Sequence, residues 1–61
     1  MLPKDPIMLM SVVNTKLRDF YPSLGALCDD LNVSEETLRA TLLSAGYVYD
    51  AEHNRFVFKK A

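Results

Sequence analysis

Residues 23–42 read Ser-Leu-Gly-Ala-Leu-Cys-Asp-Asp-Leu-Asn-Val-Ser-Glu-Glu-Thr-Leu-Arg-Ala-Thr-Leu, and the fold turns on how this stretch is read. Ser23 and Ser34 carry the side chain that satisfies the free amides at a helix start. Each stands before apolar residues at helical spacing: Leu24, Leu27, Cys28 and Leu31 after the first, Leu38, Leu42 and Ala45 after the second. Asn32 tolerates positive φ and is the residue expected to end the first of these helices in the left-handed conformation. Glu35 and Glu36 fall in the opening turn of the second, where carboxylates suit the helix dipole. Gly46 is a natural stop beyond it. The prediction is a helix over 24–31, a tight turn, and a helix over 34–45.

Working outward, Asp5-Pro6 supplies an N-cap followed by a proline at the first helical position, where its missing N–H costs nothing. That helix should run over 6–20, because Pro22 disfavours helical geometry at Tyr21. Leu9, Met10, Val13, Leu17 and Phe20 form its inward stripe. Ser11, Thr15, Arg18 and Asp19 face water, with Met8 and Val12 a second apolar pair on the polar side. After Gly46, Tyr47-Val48-Tyr49 and Arg55-Phe56-Val57-Phe58 are β-prone runs around a turn-rich Asp50–Asn54 segment, which predicts a hairpin over 47–58. Alternation suggests Tyr47, Tyr49 and Val57 on one face and Val48, Phe56 and Phe58 on the other, without saying which is buried. Lys59, Lys60 and Ala61 are expected to fray.

In residues 23–42, Leu27, Leu31, Val33, Leu38 and Leu42 occupy hydrophobic slots, Cys28 a small-residue slot and Ser34 a cap. In that register the segment resembles a bacterial helix-turn-helix, with Asn32 where the pattern usually has glycine. With a helix before and a hairpin after, the whole looks like a miniature winged helix. The fold class expected is mainly α with a small β-hairpin, a single domain over residues 1–61. The segments Met1–Pro6, Val13–Asp19, Gly46–Asp50 and Asn54–Val57 are also similar to a family of short bacterial proteins filed as a domain of unknown function, family 4250. That resemblance implies a stand-alone cytosolic bacterial protein and brings no activity with it.

At 61 residues there is room for one core, and 49% hydrophobic composition suits a globular chain. A domain this short buries only about 60% of its unfolded surface, a deficit that dimerisation often offsets. A single cysteine excludes an intramolecular disulfide and suggests a reducing, cytoplasmic setting. The apolar run at residues 7–10 is too short for a signal peptide or a membrane span. Asn32-Val33-Ser34 fits a glycosylation sequon, but without secretion it reads as a helix-turn junction. The net charge of −1 conceals an acidic middle, where Asp29, Asp30, Glu35 and Glu36 face only Arg39.

These residues bear on three classes of function. Catalysis is not expected: His53 and Cys28 are the only histidine and thiol, and no metal, nucleotide or triad motif is present. Neither a cofactor nor a small-molecule substrate is implied. A nucleic-acid reader would use Thr37 and Arg39 on the 34–45 helix, with Arg55, Lys59 and Lys60 on phosphates. Glu35 and Glu36 oppose that reading, because phosphate neutralisation supplies much of the affinity. The reading preferred is a protein-interaction module, with a homodimer as one option, that uses Met8, Val12, Leu43, Tyr47 and Tyr49.

Overall fold

A computed structural model describes residues 2–59. Helix α1 spans Pro6–Asp19, α2 Leu24–Leu31 and α3 Glu35–Leu43; strands β1 (Tyr47–Asp50) and β2 (Arg55–Phe58) form an antiparallel hairpin. The chain is therefore mainly helical with a two-stranded sheet, as expected. Lys60 and Ala61 lie outside the described residues, and so does Met1.

Each helix begins where its cap dictates. Asp5 accepts from the Ile7 amide at 3.0 Å, Ser23 from Ala26 at 3.1 Å and Ser34 from Thr37 at 3.2 Å. These bonds satisfy amides that no helical carbonyl can reach. Asn32 ends α2 at φ 56°, ψ 47°, with the Val33 amide returning to the Cys28 carbonyl at 3.0 Å. The left-handed residue brings Ser34 into capping position within two residues. Helix α3 closes at Leu43 with Ser44 as its cap, short of Ala45, and Gly46 turns the chain at φ 89°.

The core is Leu9, Val13 and Leu17 of α1, Leu24, Leu27 and Cys28 of α2, Leu38 and Leu42 of α3, and Phe56 of β2. Leu2, Met10, Tyr21, Leu31, Val33, Tyr47 and Tyr49 pack around it. Phe20 departs from the expected stripe and is 72% exposed. It occupies the C-cap at φ −127°, where the chain has left the helical register. Tyr21 packs against the core in its place, and its hydroxyl donates to Asp30 at 2.6 Å.

The hairpin faces also differ from the expected grouping. The register pairs Tyr47 with Phe58, Val48 with Val57, Tyr49 with Phe56 and Asp50 with Arg55. Residues directly opposite in an antiparallel pair share a face. Tyr47, Tyr49, Phe56 and Phe58 therefore share one face, with Val48 and Val57 on the other. Alternation within a strand fixes only that strand; the loop over 51–54 fixes how the two combine. Tyr47, Tyr49 and Phe56 of the aromatic face pack inward, with the Tyr49 and Phe56 ring centroids 5.4 Å apart, whereas Phe58 at the end of β2 is 62% exposed.

Candidate functional site

The polar contacts of the hairpin separate the residues that hold the fold together from those left at the surface. Asn14, inside α1, accepts from the Phe56 amide at 2.6 Å and donates to the Phe56 carbonyl at 3.0 Å. Its carboxamide thus acts as a short piece of strand against the outer edge of β2. Asn54, at φ 52° in the hairpin loop, donates to the carbonyls of Leu17 at 3.2 Å and Tyr21 at 2.9 Å. It caps the end of α1 from a distant part of the chain. The Tyr49 hydroxyl donates to the Asn54 side-chain oxygen at 2.6 Å and accepts from the Leu24 amide at 3.2 Å. One tyrosine and one asparagine thereby join the end of α1, the start of α2 and the hairpin.

This network has no counterpart in the sequence reading. The available signal was Asn14 itself: asparagine is a poor helix former, yet here it stands in a helix interior between inward-facing Met10 and Leu17. The segments Val13–Asp19, Gly46–Asp50 and Asn54–Val57, which carry the family resemblance, supply Asn14, Tyr49 and Asn54. Those residues build the fold.

With these residues assigned, the candidate interface residues separate. Leu43 is 61% exposed on α3 and, with Arg39, Tyr47, Val48, Tyr49 and Phe56, lines a groove of about 160 Å³ between α3 and β1. The structure brings Leu43, Tyr47 and Tyr49 together there. Tyr49 contributes its ring, since its hydroxyl is engaged internally. Met8 and Val12 lie outside the groove. Met8 is 58% exposed near the start of α1. Val12 is half-buried beside Leu2, Lys16, Leu31 and Val33. The wall residue Val48 was not among the candidates.

The candidate nucleic-acid contacts are scattered in availability. Arg39 bonds Glu35 at 2.9 Å and lies 5.2 Å from the centroid of the Tyr49 ring. Its guanidinium is therefore occupied on an edge and over an aromatic face. Thr37 is exposed on α3, and Arg55 and Lys59 are exposed at the hairpin. Lys60 lies outside the described residues.

A larger hollow of about 620 Å³ lies between α1 and the hairpin loop, lined in part by Asn14, Arg18, His53 and Asn54. The two asparagines there are engaged in the network above, and Arg18 is held by Asp19 at 3.0 Å. Ligand atoms of Asp50, Glu52 and His53 approach within 4.8 Å of one another. Asp50 already accepts from the Glu52 amide at 3.1 Å and sits 2.7 Å from the His53 ring, contacts that shape the loop. Burial, with the Glu35 carboxylate adding to it, pushes the Cys28 thiol up, away from the reactive thiolate form. Among the described residues no helix is long and apolar enough to cross a membrane.

The geometry defines a small helical domain whose hairpin is clasped to its first helix and whose third helix flanks an apolar groove. The chain belongs to the family described as Domain of unknown function (DUF4250), which it matches over residues 3–56. No curated protein and no solved structure matches it.

Proposed function

We propose that the chain is a non-catalytic binding module that engages another protein through the groove between α3 and β1. In this reading α2, its turn and α3 are a helix-turn-helix, the hairpin is a wing, and the setting is the bacterial cytoplasm. The observation that carries it is Leu43: a leucine 61% exposed at the rim of an apolar groove, beside a Tyr49 ring whose hydroxyl is bonded to Asn54 and to the Leu24 amide. Buried apolar anchors surrounded by polar groups are what protein interfaces use. The nucleic-acid alternative has exposed Arg55 and Lys59 in its favour. Against it stand Glu35 and Glu36 at the start of α3 and an Arg39 already occupied by Glu35 and Tyr49.

Parallel capture experiments with the parent and Leu43→Glu test the proposal. A polypeptide retained by the parent and lost with Leu43→Glu is the expected result. Titration of a labelled duplex at low salt is expected to give flat anisotropy. Tight duplex binding that falls steeply with salt and ignores Leu43→Glu would favour the nucleic-acid reading instead.

A further inference from the structure

The hydrogen-bond parity of the hairpin shows which backbone groups are left open. The Lys59 amide donates to the Gly46 carbonyl at 2.8 Å, continuing the ladder one step beyond Tyr47 and Phe58. Antiparallel pairs alternate between bonded and non-bonded, so Gly46–Lys59, Val48–Val57 and Asp50–Arg55 are the bonded pairs. Asn14 agrees, because it takes both backbone groups of Phe56, a residue of a non-bonded pair. It follows that the N–H and C=O groups of Tyr47 and Tyr49 point away from β2. No other hydrogen bond to them is formed among the described residues.

The two edges of the sheet are therefore unlike. On β2, Asn14 blocks the middle of the outer edge. On β1, the outer edge is open at both tyrosines and borders the apolar groove. Tyr47, Val48 and Tyr49 all line that groove. Successive strand residues point to opposite faces, so a hollow touching all three meets the strand at its edge.

We propose that this edge pairs with the same edge of a second copy, β1 antiparallel to β1 about a two-fold axis through Val48. The inference deepens the protein-binding reading and rests on it. The open groups impose the register: Tyr47 opposite Tyr49 of the second copy, Val48 opposite Val48, and Gly46 opposite Asp50. Each open N–H then finds an open C=O. Aromatic side chains meet on the inner face, a favourable cross-strand pair, and valines meet on the outer. The register sets the Asp50 carboxylates opposite glycine, so no like charges face each other. A strand laid there covers the exposed Leu43. An isologous contact of this kind uses one patch twice and closes at the dimer, joining two hairpins into one sheet and removing the open edge.

Sedimentation over a wide concentration range, combined with cysteine trapping, tests the pairing. The parent is expected to sediment at twice the 6.9 kDa chain mass at high concentration. Under mild oxidation Val48→Cys should form an intermolecular disulfide, since a non-bonded pair at the axis brings the Cα atoms to about 4.5 Å. Val57→Cys, on the same face but about 14 Å from its equivalent across the axis, should not. The parent, with only buried Cys28, should not cross-link either. Val48→Lys should weaken dimerisation by at least about tenfold by placing like charges at the axis, while Val57→Lys leaves it unchanged. A parent that stays monomeric throughout would overturn the pairing, as would a dimer that Val57→Cys traps as readily as Val48→Cys. If the monomer still captures a polypeptide that Leu43→Glu loses, self-pairing alone has failed. If Leu43→Glu loses nothing, the protein-binding reading has failed with it.

Discussion

At the residue scale the fold depends on a few side chains that imitate backbone. Asn14 gives Phe56 the donor and acceptor that a third strand would have given it. Asn14→Leu should cost about 2–3 kcal/mol in a thermal or urea melt, because it leaves partly buried backbone groups without partners. A loss no larger than that of an exposed change such as Ser11→Ala would show that the clasp contributes nothing. Asp50 offers a second test. The bond from the His53 ring, supplemented by the loop amides, holds its carboxyl below the usual range. A depressed folded pKa means the contribution is complete above the ordinary carboxylate value and is lost as pH falls through the folded one. Asp50→Asn should therefore reduce the fall in melting temperature below about pH 4. Parallel acid profiles for the two proteins would refute that role.

At the element scale, much of the molecule could be read from the chain because its helices are defined by neighbours. Ser23, Asn32 and Ser34 act within a few residues of where they stand, and local spacing is what a sequence displays. Phe20 falls outside what that spacing can show: periodicity assumes the helix continues, and the helix ends one residue earlier. The grouping of the hairpin faces is not legible in either strand alone, because the pairing of strands depends on the length of the loop between them. Asn54 was passed over as a turn residue, since its bonds to Leu17 and Tyr21 cross more than half the chain. The groove was half visible: Leu43, Tyr47 and Tyr49 were picked out, but Val48 was not, because an open strand edge leaves no mark on composition. Core and rim give a direct comparison. Leu38→Ala should cost about 2–5 kcal/mol as a buried truncation, whereas Phe20→Ser should leave the melt nearly unchanged. The opposite order would place the core elsewhere.

At the scale of the whole molecule, the small core has no reserve from which to lose a wall. Phe56 is the one buried residue that the sheet contributes to it, and the same residue receives the Asn14 clasp. A chain ended after Asp50 would keep the sequence of every helix and all three N-cap residues, losing only the cap that Asn54 places on the end of α1. It should nevertheless give the circular dichroism of a largely unfolded chain, because isolated helices of this length are marginal in water. Retention of a cooperative melt in that truncation would show that the hairpin is an accessory to a self-sufficient three-helix unit.

The clasp between Asn14 and Phe56 spans 42 positions and joins the first helix to the last strand. During synthesis, α1 emerges well before the backbone groups that its asparagine is shaped to hold. The core cannot close until β2 is available, and the loop must be closed before those contacts repay its entropy. A helix made early therefore waits for the strand that completes its contacts, and folding is gated by the arrival of β2.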